Sequence, residues 1–122
     1  MKILGVDYGR KKIGLAISQG VLAEPWKVIK VNDFENAVGK LTQILKELKI
    51  DKIVVGVSEG EMGEESEKFA EKIGAETFDE TLSTYNAQKL SRQGNIRRKK
   101  RKALEDAYAA AVMLQSYLET YV

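Results

Sequence analysis

With 122 residues, of which 43% are hydrophobic and 31% charged, the chain has room for one domain with a modest core. It contains neither cysteine nor histidine, which excludes disulfide frameworks, thiolate and ordinary zinc sites, and Ser-His or Cys-His hydrolases; carboxylates, lysines and hydroxyls remain as chemical groups. The net charge of +2 conceals opposed blocks, nine acids against two lysines from Glu59 to Glu80 and seven bases without an acid from Arg92 to Lys102, which suggests a polyanionic partner approached from one side.

Lys2 to Asp7 (KILGVD) and Ile13 to Ser18 (IGLAIS) are β-rich runs separated by a basic, glycine-containing turn, and predict a hairpin. Trp26 to Val31 alternates apolar and polar residues after Pro25, as a third antiparallel strand would. Asn32 is a candidate cap with Glu35 reaching back, and Phe34, Ala37, Val38, Leu41, Ile44, Leu45 and Leu48 follow at helical spacing. Lys52 to Val57 (KIVVGV) reads as an interior parallel strand buried on both faces. Gly60 to Gly63 breaks the pattern, Glu64 to Ile73 predicts a short helix, and Glu76 to Asp79 a last strand. Ser83 then caps a helix ended by Gly94, and Ala103 to Tyr121 forms a closing helix rich in alanine and leucine. These elements make one α/β domain over residues 1–122, with a mixed five-stranded sheet of three antiparallel strands followed by two parallel ones, flanked by helices. The opening residues lack the basic head and apolar stretch of a secretory signal, and no apolar run is long enough to span a bilayer, so the expectation is a cytoplasmic protein without a membrane partner.

Three acids stand where chemistry is expected. Asp7 ends the first strand before Tyr8-Gly9, at the mouth where open α/β sheets place ligands, and Gly9 would let a phosphate or metal approach. Glu80 follows the last strand and precedes Thr81-Leu82-Ser83-Thr84. Asp106 lies among Ala103, Leu104, Ala107, Ala110, Ala111 and Leu114, small residues that imply close helix packing; it reads either as a buried carboxylate that needs a partner or as an acid at the boundary of the apolar face, in touch with water. Strand-end acids and a helix acid can converge on two divalent ions without histidine or cysteine, and magnesium or manganese suits an all-oxygen donor set. Glu59, at the end of the fourth strand, reads either as a further ligand or as a solvated loop acid.

The blocks GVDYGRKKIGLAIS, KIVVGV, DETLST and EDAYAAAVMLQSYL resemble, in order and over nearly the whole chain, the YqgF family, also called RuvX. The resemblance implies a ribonuclease H-like fold and a nuclease that matures the 5′ end of the 16S ribosomal RNA precursor, with Holliday junction resolution as the alternative. It implies the acidic triad Asp7, Glu80 and Asp106 as catalytic metal ligands for Mg2+ or Mn2+. The chain departs from the family with Thr81 where an arginine usually follows the Asp-Glu pair, and with Val57-Ser58-Glu59-Gly60-Glu61 where a VGLP segment is usual.

Arg10, Lys11 and the run Arg97, Arg98, Lys99, Lys100, Arg101, Lys102 are the expected nucleic-acid contacts. Seven phosphate contacts would give a log-log salt slope of roughly −5 to −6. The expected partner is structured RNA, pre-rRNA or branched DNA, bound by a monomer or weak homodimer. Two other classes stay open: a non-catalytic ribosome-assembly module, and an actin-like phosphotransferase, which the length disfavours because such enzymes close two domains around nucleotide.

Overall fold

A computed structural model describes residues 1–58, 60–79 and 104–121. Its strands are β1 (Ile3–Asp7), β2 (Lys12–Ser18), β3 (Ala23–Lys30), β4 (Lys52–Val57) and β5 (Glu76–Asp79); its helices are α1 (Phe34–Leu48), α2 (Glu61–Ile73) and α3 (Glu105–Tyr121). They form one sheet in the order β3-β2-β1-β4-β5. β1, β2 and β3 pair antiparallel, while β4 lies parallel to β1 and β5 parallel to β4, so the mixed α/β sheet expected from the pattern is present.

Alternation along each strand sorts side chains onto two faces. Leu4 and Val6 of β1, Ile13 and Leu15 of β2 and Val55 of β4 join Ala37, Leu41 and Ile44 of α1 and Phe69 and Ala70 of α2 in one core. Ile3, Ala16 and Val54, of opposite parity, pack under Ala110, Ala111, Met113, Leu114, Tyr117 and Leu118 of α3 in the other. α3 approaches so closely that a Cβ on Gly5 would lie 2.9 Å from the Leu114 Cβ. Ile3 and Gly5 thus face α3, and Asp7 is the next residue of that parity.

Several boundaries differ from the sequence expectation for physical reasons. The α1 cap is Asp33 rather than Asn32: its Oδ1 accepts from Asn36 N at 2.7 Å, and Asn36 Oδ1, not Glu35, reaches back to Asn32 N at 3.0 Å. β3 begins at Ala23 with Pro25 inside it, tolerated because β3 is an edge strand and the β2–β3 register shifts at Leu15/Ala16. α2 begins at Glu61, not Glu64. Gly63 lies within its first turn, where a Cβ would overlap the Ser58 carbonyl oxygen, so a residue read as a break is instead what lets α2 dock on the end of β4. The predicted Ser83-capped helix lies outside the described residues, and the closing helix is described from Glu105. No helix among the described residues is long and apolar enough to cross a membrane.

Candidate active site

The carboxyl ends of β1, β4 and β5 share one edge of the sheet, with Val6 beside Val55 and Val57 beside Asp79. Asp7 ends β1 there, half-buried on the face that α3 covers. Its partner across the antiparallel ladder is Gly14 of β2. The first turn of α3 rests on that glycine: a Cβ there would lie 2.0 Å from the Asp106 carbonyl oxygen and 2.9 Å from Ala107 N. Gly14 is therefore the point where helix backbone replaces side chain, and it brings Asp106 over the strand neighbour of Asp7. Asp7 and the backbone of Asp106 thus flank Gly14 at this end of the sheet. Glu80, the third expected acid, lies outside the described residues, as do Glu59 and Thr81. Among the described residues no group of three or more acids is placed to hold a metal ion.

Lys12, two residues before Gly14 and on the same face, sits with Nζ 3.8 Å from Asp106 Oδ2. Both side chains are well exposed, so this ion pair contributes little to stability, but it places a cation at the acidic mouth. Sequence reading passed over Lys12; the signal was its parity with Gly14 and Ala16, whose faces were legible only once α3 was placed.

A second network adjoins the mouth on the opposite face. Tyr8, buried, packs its ring against Phe69 and Phe34 at centroid separations of 4.6 and 6.4 Å. Its hydroxyl donates to Glu65 Oε1 at 2.9 Å, and Arg10 Nε donates to Glu65 Oε2 at 2.7 Å. Burial, then the hydrogen bond and charge of Glu65, push the Tyr8 hydroxyl up to about 12. The Arg10 and Tyr8 hydrogen bonds hold the Glu65 carboxyl below its ordinary value, and Arg10 is raised in turn, with Glu61 adding to the same field. Arg10, expected as a nucleic-acid contact, is thus tethered yet largely exposed. Lys11 is exposed, and its carbonyl accepts from Val31 N at 2.9 Å. Gly9 has a structural reason independent of any ligand, since a Cβ there would come 2.5 Å from the Lys12 carbonyl oxygen and open the hairpin turn. The run Arg97 to Lys102 lies outside the described residues.

A family model described as RuvX, Holliday junction resolvase, matches residues 1–120. A protein of Desulforamulus reducens named "Putative pre-16S rRNA nuclease" is 38% identical over 134 residues, covering 98% of each chain. A Bacillus cytotoxicus protein of the same name is 36% identical, covering 98% of this chain and 99% of its own. Among solved structures, the RuvC of T. thermophilus in complex with Holliday junction substrate superposes with a TM-score of 0.60 at 16% identity, over 99% of this chain and 96% of that one. The fowlpox virus Holliday junction resolvase gives 0.65 at 15% identity, over 98% and 99%. These structural likenesses show a shared ribonuclease H-like fold.

Proposed function

Because the chain belongs to the RuvX family, we propose that it is a divalent-metal-dependent endonuclease that trims the 5′ end of pre-16S ribosomal RNA at the mouth formed by Asp7 and Asp106. The observation that supports this reading is the seating of the Asp106 backbone on Gly14, the ladder partner of Asp7, a residue 99 positions earlier in the chain. The RNA substrate is favoured by the names of the relatives at 36–38% identity, which the chain matches over nearly its whole length.

The donor chemistry fits a hard cation, since the mouth offers carboxylate oxygen and the chain has no thiolate or imidazole to draw a softer metal. Asp7 and Asp106, with Glu80 as the third ligand, would hold Mg2+ or Mn2+. When bound, the metal would supply Lewis-acid polarisation of the phosphodiester and a more acidic water.

The remaining work falls to the chain's own groups. Lys12, at 3.8 Å from Asp106, tempers repulsion between the carboxylates and offers an ammonium to phosphate oxygen. Arg10 and Lys11, exposed on the β1–β2 turn, supply charge for a phosphate backbone at the rim, and Arg97 to Lys102, just ahead of α3 in the sequence, are proposed to extend it. The test is cleavage of a structured pre-16S RNA fragment and of a four-way DNA junction with magnesium or manganese. Asp7→Asn should reduce RNA cleavage by about a hundredfold or more with the fold intact. Undiminished cleavage by the folded variant rejects the site, and cleavage of the DNA junction alone rejects the RNA assignment.

A further inference from the structure

An acid beside a site that must admit a polyanion needs an explanation, and Glu65 is such an acid. Standing alone it would repel phosphate. Yet both of its carboxylate oxygens are committed, Oε1 to the Tyr8 hydroxyl and Oε2 to Arg10 Nε. We propose that Glu65 is a positioning residue that holds the Arg10 guanidinium at the sheet mouth, so that its two terminal nitrogens are presented to substrate phosphate. This inference rests on the reading of the mouth as a nucleic-acid site.

The tether is anchored at every step. Buried Phe69 and partly buried Phe34 pack on the Tyr8 ring and fix it. Tyr8 fixes one oxygen of Glu65. Gly63, pressed on the Ser58 carbonyl at the end of β4, sets the position of the first turn of α2, which carries Glu65 one turn further on. Arg10 itself is 62% exposed and without a tether would sample many rotamers, at an entropic cost when it is fixed on phosphate. Engagement through Nε leaves the terminal NH2 pair, the edge suited to bidentate phosphate recognition. Among the described residues the side-chain hydrogen bond of Arg10 is made through Nε.

The sign of one measurement separates positioning from charge. Affinity for a fluorescently labelled structured RNA is measured in EDTA, so that cleavage plays no part. Arg10→Ala should weaken binding about fivefold or more and lower the log-log salt slope by about 0.7–0.9. Glu65→Ala removes a negative charge, and by charge alone should tighten binding; positioning predicts that it weakens binding about threefold or more in the native background. In an Arg10→Ala background the same substitution should leave affinity unchanged or improve it. Glu65→Gln, whose amide oxygen can still accept from Arg10 Nε, should recover most of the loss and guards against a folding defect in the alanine variant. Unchanged or tighter binding by Glu65→Ala in the native background overturns the proposal, and so does equal weakening in both backgrounds, which would mark a merely structural role. Loss of the coupling with Asp7-dependent cleavage intact would sink the role of Glu65 alone; persistence of the coupling without cleavage would sink the nuclease reading alone.

Discussion

Replacing Gly14 by alanine should separate the acids without touching either of them. The added methyl would stand 2.0 Å from the Asp106 carbonyl oxygen, whereas ordinary contact begins at 3.4 Å. The first turn of α3 must therefore retreat by about 1.4 Å, or β2 must bend away from it. Neither movement is easy, because α3 is clamped further along, with Ala110, Ala111 and Leu114 fully buried against Ile3, Ala16 and Val54. Overpacking of this kind costs about 1–3 kcal/mol. A displacement of about 1 Å in a catalytic group costs on the order of a hundredfold in rate. Urea unfolding of Gly14→Ala should show a lower midpoint at unchanged slope. Cleavage, assayed where the variant is still folded, should fall by about two orders of magnitude. Gly39→Ala is the matched control: Gly39 lies on the exposed side of α1 with nothing within 4 Å of an added Cβ, so the variant should be more stable by up to about 1 kcal/mol and fully active. A Gly14→Ala protein as stable and as active as the parent would refute the idea that backbone contact at this glycine sets the acidic pair.

Two further outcomes follow from the hydrogen-bond networks. Because the Tyr8 hydroxyl is pushed up to about 12 from 10.0, folding favours its protonated form. Its contribution is therefore complete below pH 10 and lost as the pH rises through 12; Tyr8→Phe should remove this part of the alkaline destabilisation, of order 2 kcal/mol, from unfolding curves compared between pH 8 and 12. At the other end of the sheet, the Tyr117 hydroxyl donates to Glu76 Oε2 at 2.6 Å and accepts from Lys52 Nζ at 3.1 Å. Tyr117→Phe should lower stability by about 1 kcal/mol, read from the urea midpoint, and leave cleavage per folded molecule unchanged.

Local pattern carried much of this architecture. The hairpin runs, the alternation of β3 and the doubly buried KIVVGV segment each declared their element, because period and β-branching are properties of neighbouring residues. The cap of α1 slipped by one because Asn32 and Asp33 are both competent caps, and only the bond from Asn36 N to Asp33 decides between them. The start of α2 was obscured because a glycine pair reads as a break, while the reason for Gly63 is a backbone 5 residues earlier at Ser58. Asp106 was legible through the alanine-rich face around it, but the seat of its backbone beside the ladder partner of Asp7 depends on Gly14, a long-range packing contact that no local window contains. Glu65 was invisible for the same reason, since its partners Tyr8 and Arg10 lie 57 and 55 positions away. The expected roles of Glu80 and of Arg97 to Lys102 fall on residues outside those described.

Whether the acids share a cation can be read directly from a manganese anomalous difference map of crystals soaked in that ion. The account predicts a peak within about 2.1 Å of carboxylate oxygens from both Asp7 and Asp106, lost in Asp7→Asn crystals. Density touching only one of the two carboxylates, or none at the mouth at saturating manganese, would contradict it.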